Sequence, residues 1–313
     1  MMLARLAEHL YWHGRYLERA EGLARLINVN AHLNLDLPGR IAPGWEPLVR
    51  ITGNSELFDT VYDDAGERQV AKFLISDEHN PGSIRSTLEL ARENMRAARD
   101  LLPREVWEQM NGLYLRISEQ ISGNLSKRRR HESLTDLILG SQQIAGMLMG
   151  TMSQDYAYDF ILIGRYLERA DVTTRILDVR ADDLLPEHAE ELRPFESIQW
   201  MSVLKSLTGY QMYRRHVRLR VAGPDVLRFL LRDRLFPRSV MFCLKALESV
   251  VTDLPGDDDR ALRATSALMR HLDSARTVRL KGEPLSEFID GIQIELGDIG
   301  GLISQTWFQA GAE

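Results

Sequence analysis

The sequence contains one seven-residue stretch twice. Residues 15–21 read RYLERAE and residues 165–171 read RYLERAD, 150 positions apart. Each copy follows a glycine, Gly14 or Gly164, and the correspondence extends over about sixteen positions. A long internal repeat constrains the architecture before any local propensity does, because related sequence units fold in related ways. The chain is therefore interpreted first as two related halves.

The correspondence between the halves reaches well beyond this motif. Further matches follow in the same order along the chain at an offset of 151 to 156 positions, among them Asp77, Pro81 and Ser83 with Asp233, Pro237 and Ser239, and Gly140, Gly146 and Gly150 with Gly291, Gly297 and Gly301. The two repeats cover about 1–155 and 156–313. Only a short step, Ser153-Gln154-Asp155, joins them, without a Pro- or Gly-rich linker. We expect a single domain, 1–313, whose halves share one core around a pseudo-twofold axis.

The hydrophobic pattern is helical throughout. From Leu3 to about Leu35 apolar residues recur three or four positions apart, and no proline occurs before Pro38. Similar segments fill the rest of the chain, and no alternating pattern of strands competes with them. The sequence predicts an all-α protein, an elongated helical bundle built from two tandem repeats.

Three local patterns carry more detailed expectations. Asn80 is positioned to cap a helix whose first position is Pro81. The basic run from Lys127 to His131 is interpreted as a solvated loop between two helices, with an anionic partner surface as the alternative. The following helix, predicted for residues 134–152, carries Gly140, Gly146 and Gly150. Glycine costs about 0.5 to 1 kcal/mol relative to alanine within a helix, so these positions suggest close packing against a neighbour.

Composition excludes several classes of protein. The net charge of −6 and pI near 5.8 argue against a general nucleic-acid binder. Cys243 is the only cysteine, so internal disulfides are excluded and a reducing compartment is suitable. It lies in an apolar run. Charged residues interrupt the first turns, and no apolar stretch is long enough to span a bilayer. We expect a cytoplasmic protein that binds neither nucleic acid nor membrane.

The repeated motif places charged side chains on one helix face. Arg15, Glu18 and Arg19 are spaced i, i+3 and i+4, and Arg165, Glu168 and Arg169 repeat that spacing. If the two helices face each other, Glu18 meets Arg169 and Glu168 meets Arg19 in a reciprocal ion-pair lock, which is a structural role. Alternatively these residues, together with Tyr16 and Tyr166, form a pocket for a small anionic ligand such as a phosphate or carboxylate.

Other chemistry-bearing patterns are sparse. His9 and His13 are spaced i, i+4, but the acidic residue that the zinc-binding HExxH pattern requires after the first histidine is missing. There is no glycine-rich phosphate loop, no GxSxG elbow and no CxxC pair. We therefore expect no metal and no cofactor, and the sequence identifies no catalytic residue.

In its repeated motif and in two further segments, the chain resembles the bacterial alpha-E domain family, which is all-helical and named for a Glu-Arg motif. The resemblance covers residues 2 to about 308. It rests on residues 10–21 and 164–171, on the turn Asn80-Pro81-Gly82-Ser83-Ile84 and on the helix segment Ala91-Arg92-Glu93-Asn94. His13 stands where the family has leucine or methionine. The resemblance assigns Arg15, Glu18, Arg19, Arg165, Glu168 and Arg169 to the family motif, and Asn80, Arg92, Glu93 and Asn94 to a second signature.

The resemblance also implies partners. Alpha-E proteins are typically encoded beside, or fused to, a circularly permuted ATP-grasp protein, and often beside a transglutaminase-like cysteine peptidase. It therefore implies a non-catalytic partner or substrate-presenting subunit of an ATP-grasp amide or peptide ligase. Two alternatives remain open on the sequence: an enzyme or ligand-binding protein that uses the Arg/Glu/Tyr pocket, and a homodimeric scaffold.

Overall fold

A computed structural model describes residues 4–38, 42–123, 125–184, 195–217, 220–256, 258–275 and 282–309. These residues form α-helices joined by short connections, and no strand occurs among them. Leu3, where the first helix was predicted to begin, lies outside the described residues. The helices are α1 (Ala4–Asp36), α2 (Glu46–Thr52), α3 (Ser55–Val61), α4 (Glu67–Ile75), α5 (Ile84–Ala97), α6 (Arg104–Gln120), α7 (Lys127–Thr151), α8 (Tyr156–Leu184), α9 (Glu196–Ser206), α10 (Tyr210–Val217), α11 (Gly223–Arg232), α12 (Val240–Asp253), α13 (Arg260–Ser274) and α14 (Glu283–Ile303).

The two long helices α1 and α8 pack against each other and carry the repeated motif. Helix α1 also contacts α5 and α7, while α8 contacts α12 and α14. Because α1 has neighbours on several sides, it buries apolar residues around much of its circumference, such as Leu10, Leu17 and Ile27. The all-α prediction is confirmed, and α1 and α8 lie at the centre of the core.

Two glycines allow α1 and α8 to approach closely. A Cβ atom at Gly14 would lie 2.3 Å from the backbone oxygen of Ile161, and one at Gly164 would lie 2.0 Å from that of Tyr11. Real Cβ atoms do not tolerate such distances, and backbone atoms cannot rotate away as a side chain can. The glycine before each copy of the motif therefore fixes the point at which the helices cross.

The Asn80-Pro81-Gly82-Ser83 turn precedes α5 as expected, but Asn80 is not its cap. Ser83 is the N-cap, and its hydroxyl accepts a hydrogen bond from the backbone N–H of Ser86. Asn80 is fully buried and donates to the backbone oxygen of Phe73, while its side-chain oxygen accepts from Gly82 N–H. Serine satisfies the first turn, and Asn80 is left to close the loop between α4 and α5.

The basic run is helical, which corrects the loop prediction. Ser126 caps α7, and the run from Lys127 to His131 forms its first turns. Arg130 is buried over the ring of Trp45 and donates to Glu67 2.8 Å away. The helix cap provided by Ser126 and the contact of Arg130 with the Trp45 ring stabilise the helix by more than the repulsion between the basic side chains destabilises it.

The three glycines of α7 do not share one role. A Cβ at Gly140 would come 2.5 Å from Leu113 of α6, so this glycine does allow close packing. Gly146 and Gly150 face open space, because a Cβ at either position would meet nothing within 4 Å. The expectation of close packing is therefore correct for Gly140 and wrong for the other two.

Candidate functional site

Glu18 of α1 is buried, with an exposed fraction of 4%. Arg169 of α8 forms a two-pronged pair with it, from Nε to Oε1 at 2.9 Å and from Nη2 to Oε2 at 2.7 Å. Arg165, one turn earlier, donates from Nε to Oε2 at 3.2 Å. Arg238, in the turn before α12, donates from Nη1 to Oε1 at 2.7 Å. Among the described residues, the arginines that bind Glu18 thus all come from the second half of the chain.

Glu168 of α8 has the reciprocal environment on α1. It is 1% exposed and accepts hydrogen bonds from Arg15 Nε at 2.5 Å, from Arg19 Nε at 2.5 Å and from Arg19 Nη2 at 2.9 Å. Arg15 also donates to the hydroxyl of Tyr11. The contacts of the lock, Glu18 with Arg169 and Glu168 with Arg19, are therefore present, and Arg165 and Arg15 are added to them. We use the name Glu-Arg cluster for the two glutamates and their arginine partners: Glu18, Glu168, Arg15, Arg19, Arg165, Arg169 and Arg238.

The electrostatics of the cluster favour ionised carboxylates. Burial opposes the charged form of Glu18, but the guanidinium groups of Arg169, Arg238 and Arg165 outweigh it and hold the pKa well below its usual range. Burial opposes ionisation of Glu168 in the same way, and Arg15 and Arg19 lower its pKa. Both carboxylates are charged at neutral pH and paired with guanidinium groups of the described residues, Glu18 through four hydrogen bonds and Glu168 through three, so neither is poised as a general base.

The two motif tyrosines lie beside the cluster and make no hydrogen bond to its carboxylates. The guanidinium carbon of Arg19 lies 5.7 Å from the ring centroid of Tyr16, and that of Arg169 lies 5.9 Å from the ring of Tyr166. Tyr16 also stacks on Trp12. Burial raises the pKa of Tyr16, which keeps its hydroxyl protonated. These rings act as cation–π partners that limit the positions open to the arginines.

The sequence interpretation did not identify Arg238. Its two nitrogens bridge two carboxylates, with Nη1 on Glu18 and Nη2 on Glu21 Oε1 at 2.9 Å. The guanidinium is largely buried. The matching sequences of the two halves contained a signal, because Arg238 stands between Pro237 and Ser239, where the first half has Gly82 between Pro81 and Ser83.

This difference leaves the two sides of the cluster unequal. Beside Glu168, where the first half has Gly82 instead of an arginine, a cavity of about 300 Å³ opens next to Tyr16, Arg19 and Asp171. Its apolar wall includes Leu23, Leu26 and Val172. A larger cavity of about 640 Å³ lies elsewhere, between α4 and the beginning of α7, and contains no residue of the cluster. We therefore regard the smaller cavity as the candidate ligand site.

The second signature lies on and before α5 and holds that helix in place. Arg92 donates to Asn111 on α6 at 2.7 Å, lies over the rings of Trp107 and Tyr114, and pairs with its neighbour Glu93. Asn94 accepts a hydrogen bond from His9 of α1. With Asn80 closing the preceding loop, the signature residues connect α5 to α1, α4 and α6.

The two histidines considered for metal binding have other partners. His9 Nδ1 lies 2.8 Å from Asn94 Oδ1, and His13 Nδ1 lies 2.9 Å from the backbone oxygen of Ala91. Both bonds join α1 to α5. Within the described part of the chain, no group of three or more His, Cys, Asp or Glu side chains is arranged to hold a metal ion. Likewise, no described helix combines the length and apolar character needed to cross a bilayer.

Comparison with known proteins gives a family match. The model of Alpha-E, described as a predicted alpha-helical domain with a conserved ER motif, matches residues 2–308. Uncharacterized proteins of Mycobacterium bovis and Mycobacterium tuberculosis are each 26% identical over 339 residues, which covers 96% of this chain. The chain spans 36% of the length of these relatives. No solved structure matches it.

Proposed function

The chain belongs to the Alpha-E family, and from that premise we propose that it is a non-catalytic helical partner, or substrate-presenting subunit, of a cytoplasmic ATP-grasp amide or peptide ligase. The observation that carries this proposal is the length of the relatives. In them a segment similar to 96% of this chain makes up 36% of a longer polypeptide. A helical unit that is covalently joined to further sequence in one protein acts there beside that sequence, which supports an assisting role for this chain next to a ligase.

The Glu-Arg cluster supports a structural role for the motif. Its two glutamates are buried and paired with arginines of the opposite half, and the arginines are held in turn by the glutamates and aromatic rings. A carboxylate that arginines hold in its ionised form has little capacity to take a proton from a substrate. We infer that the lock positions the two halves, which arose by duplication around a pseudo-twofold axis, and that the reciprocal contacts of Gly14 and Gly164 belong to the same arrangement.

The test is direct association. The purified chain is mixed with a circularly permuted ATP-grasp protein of the same organism, and the mixture is examined by gel filtration and by the rate of ATP hydrolysis with candidate carboxylate and amine substrates. We expect one co-eluting complex and a changed ATP turnover relative to the ATP-grasp protein alone. Separate elution together with an unchanged rate would contradict the proposal.

The cavity beside Glu168 favours ligand binding as a second candidate function. Tyr16, Arg19 and Arg175 line it, which is the set of side chains expected for a small anionic ligand. Titration calorimetry with inorganic phosphate tests this candidate. Binding that disappears in an Arg175→Met variant with an unchanged melting temperature would support an anion site, whereas the absence of any heat of binding would remove it.

A further inference from the structure

The proposal starts from a position where the two halves differ. Gly82 and Arg238 are 156 positions apart and occupy the middle of corresponding Pro-x-Ser turns. The turn around Arg238 lies on α8, where Arg169 donates to the backbone oxygen of Pro237 and Thr173 donates to that of Arg238. From there the Arg238 side chain crosses to the carboxylates of α1.

The carboxylates that Arg238 reaches have counterparts on α8. Glu18 corresponds to Glu168, and Glu21 to Asp171, three residues further along the helix in both cases. Glu18 Oε1 accepts hydrogen bonds from both Arg169 and Arg238. Glu168 Oε1 accepts from Arg19. On the Glu168 side, Gly82, Glu168 and Asp171 all line the cavity of about 300 Å³. The space that an arginine side chain occupies on one side is thus open on the other.

We propose that this cavity binds an alkylguanidinium group, as an arginine side chain carries, held between Glu168 and Asp171 in the way that Arg238 is held between Glu18 and Glu21. A guanidinium suits the task because its planar nitrogens donate to two carboxylates at once. The volume lies at the lower end of the range for small-ligand pockets. Leu23, Leu26 and Val172 supply an apolar wall against which the alkyl stem packs.

Arginines at the rim do not prevent a cation from binding. Arg19 and Arg175 line the cavity. Their counterparts Arg169 and Arg25 share the carboxylates of Arg238, since Arg169 also donates to Glu18 and Arg25 also donates to Glu21. Arg25 donates to Glu21, as Arg175 donates to Asp171. The occupied side therefore shows that two carboxylates of this spacing hold an additional guanidinium beside two arginines. This inference does not depend on an ATP-grasp partner. It competes with the anionic ligand proposed above for the same cavity, so the phosphate titration separates the two assignments.

The full chain is titrated with ethylguanidinium, and binding is measured by calorimetry and by the shift in melting temperature. Two further titrants are used in parallel: inorganic phosphate, and a capped tripeptide whose central residue is arginine. We expect ethylguanidinium and the peptide to bind at one site. Tighter binding of the peptide assigns the site to peptide arginines, and equal binding assigns it to small guanidinium compounds.

Two substitutions locate the site. In the Gly82→Arg variant, the chain itself carries the arginine side chain that the ligand would otherwise provide. Its Cβ would lie 2.9 Å from Asn54 Nδ2, the end of a partly buried side chain that can shift, and 3.2 Å from Asn80 Oδ1, which must give by a few tenths of an ångström. Asp171→Asn removes one carboxylate at a partly exposed position. We expect each to weaken ethylguanidinium binding by about tenfold or more, since a hydrogen bond between charged groups is lost or the space is filled. Glu21→Gln, the matched change on the occupied side, leaves the affinity unchanged.

A reverse variant provides an independent readout. Arg238→Gly opens the second position, so ethylguanidinium should raise its melting temperature more than that of the wild type and bind with a doubled stoichiometry. Several results would overturn the proposal: phosphate binding at this site in place of ethylguanidinium, no binding of ethylguanidinium, or binding that survives both Gly82→Arg and Asp171→Asn.

Discussion

At the residue scale, the burial of Glu18 makes its charge costly to leave unmatched. Two of its partners, Arg169 and Arg238, have side-chain exposures of 7% and 12%, and the third, Arg165, is 29% exposed. Arg15 and Arg19, the partners of Glu168, are 17% and 33% exposed, so neither is buried as deeply as Arg169 or Arg238. A buried ion pair gives little net stability, because desolvation offsets the attraction, but removing one partner leaves an uncompensated charge. The two glutamates should therefore differ in how much their loss destabilises the fold.

We expect Glu18→Gln to lower the free energy of unfolding by about 3 to 5 kcal/mol. Glu168→Gln should have a smaller effect, because its arginines turn more readily toward water. Urea unfolding monitored by circular dichroism measures both, and urea is preferable since guanidinium would itself bind carboxylates. Equal losses, or a larger loss for Glu168→Gln, would contradict this account of the cluster.

His13 gives the protein a specific pH dependence. It is 1% exposed, and burial lowers its pKa to about 4, against a backbone hydrogen bond to Ala91 that acts in the opposite direction. Its Nε2 has no hydrogen-bond partner among the described residues, so protonation would bury an unpaired N–H. The neutral form is the one that folds, while the unfolded chain takes up a proton near pH 6.5.

The sign of the effect follows from that depressed pKa. Stability from His13 is complete above about pH 6.5 and is lost as the pH falls toward about 4, by about 3 kcal/mol in total. His13→Asn retains a donor for Ala91 and removes the titration. The difference in unfolding free energy between wild type and variant, measured in urea from pH 7 to 4.5, should therefore shift in favour of the variant as the pH falls. A constant difference over that range would contradict the prediction.

At the element scale, the sequence predicts helices well and their packing unevenly. Apolar spacing locates α1 because its period is a property of the sequence alone. The role of a glycine depends on what faces it, and spacing does not reveal that. Gly140 lies against Leu113 while Gly146 faces open space, although both belong to the same helix. The basic run before Leu134 was misassigned for a similar reason, since Trp45, which lies under Arg130, is distant in sequence.

We expect Gly14→Ala to destabilise the protein by about 3 kcal/mol, the upper end of the usual cost of overpacking. The added Cβ would lie 2.3 Å from a backbone oxygen of α8, so the two helices must separate at their crossing. Gly146→Ala is the matched control in α7. It meets nothing within 4 Å and should stabilise by about 0.5 to 1 kcal/mol, as alanine does in an open helix position. Urea midpoints of the two variants, measured with unchanged slopes, should move in opposite directions. A Gly14→Ala protein as stable as the wild type would show that the helices do not meet this closely.

At the scale of the whole molecule, the motif residues could be located from the sequence but the asymmetry of their surroundings could not. The repeat placed Glu18 and Glu168 on two related helices, and the spacing of the arginines gave their reciprocal partners. Arg238 was missed because it lies 220 positions from Glu18 and belongs to a turn outside the motif. Only an alignment of the halves, read at the position where they differ, would have found it.

The Glu-Arg cluster links the two halves, and this leads to a prediction about unfolding. Glu18 is bound by arginines of the second half, and Glu168 by arginines of the first. If one half unfolded alone, the other would expose α1 or α8 and leave a buried carboxylate or its arginines without partners, which costs several kcal/mol. We therefore expect a single cooperative transition, with equal calorimetric and van't Hoff enthalpies.

Hydrogen–deuterium exchange tests the same point within each half. Helix α5 packs on α1 and helix α12 packs on α8. The exchange rates of their backbone amides therefore report on separate halves. Under slightly destabilising urea concentrations both helices should exchange with the same opening free energy, and Glu18→Gln should lower that value equally in both, although the substitution lies in the first half. Two calorimetric transitions, or a Glu18→Gln effect confined to α5, would mean that the halves are separate folding units and that the cluster only holds them side by side.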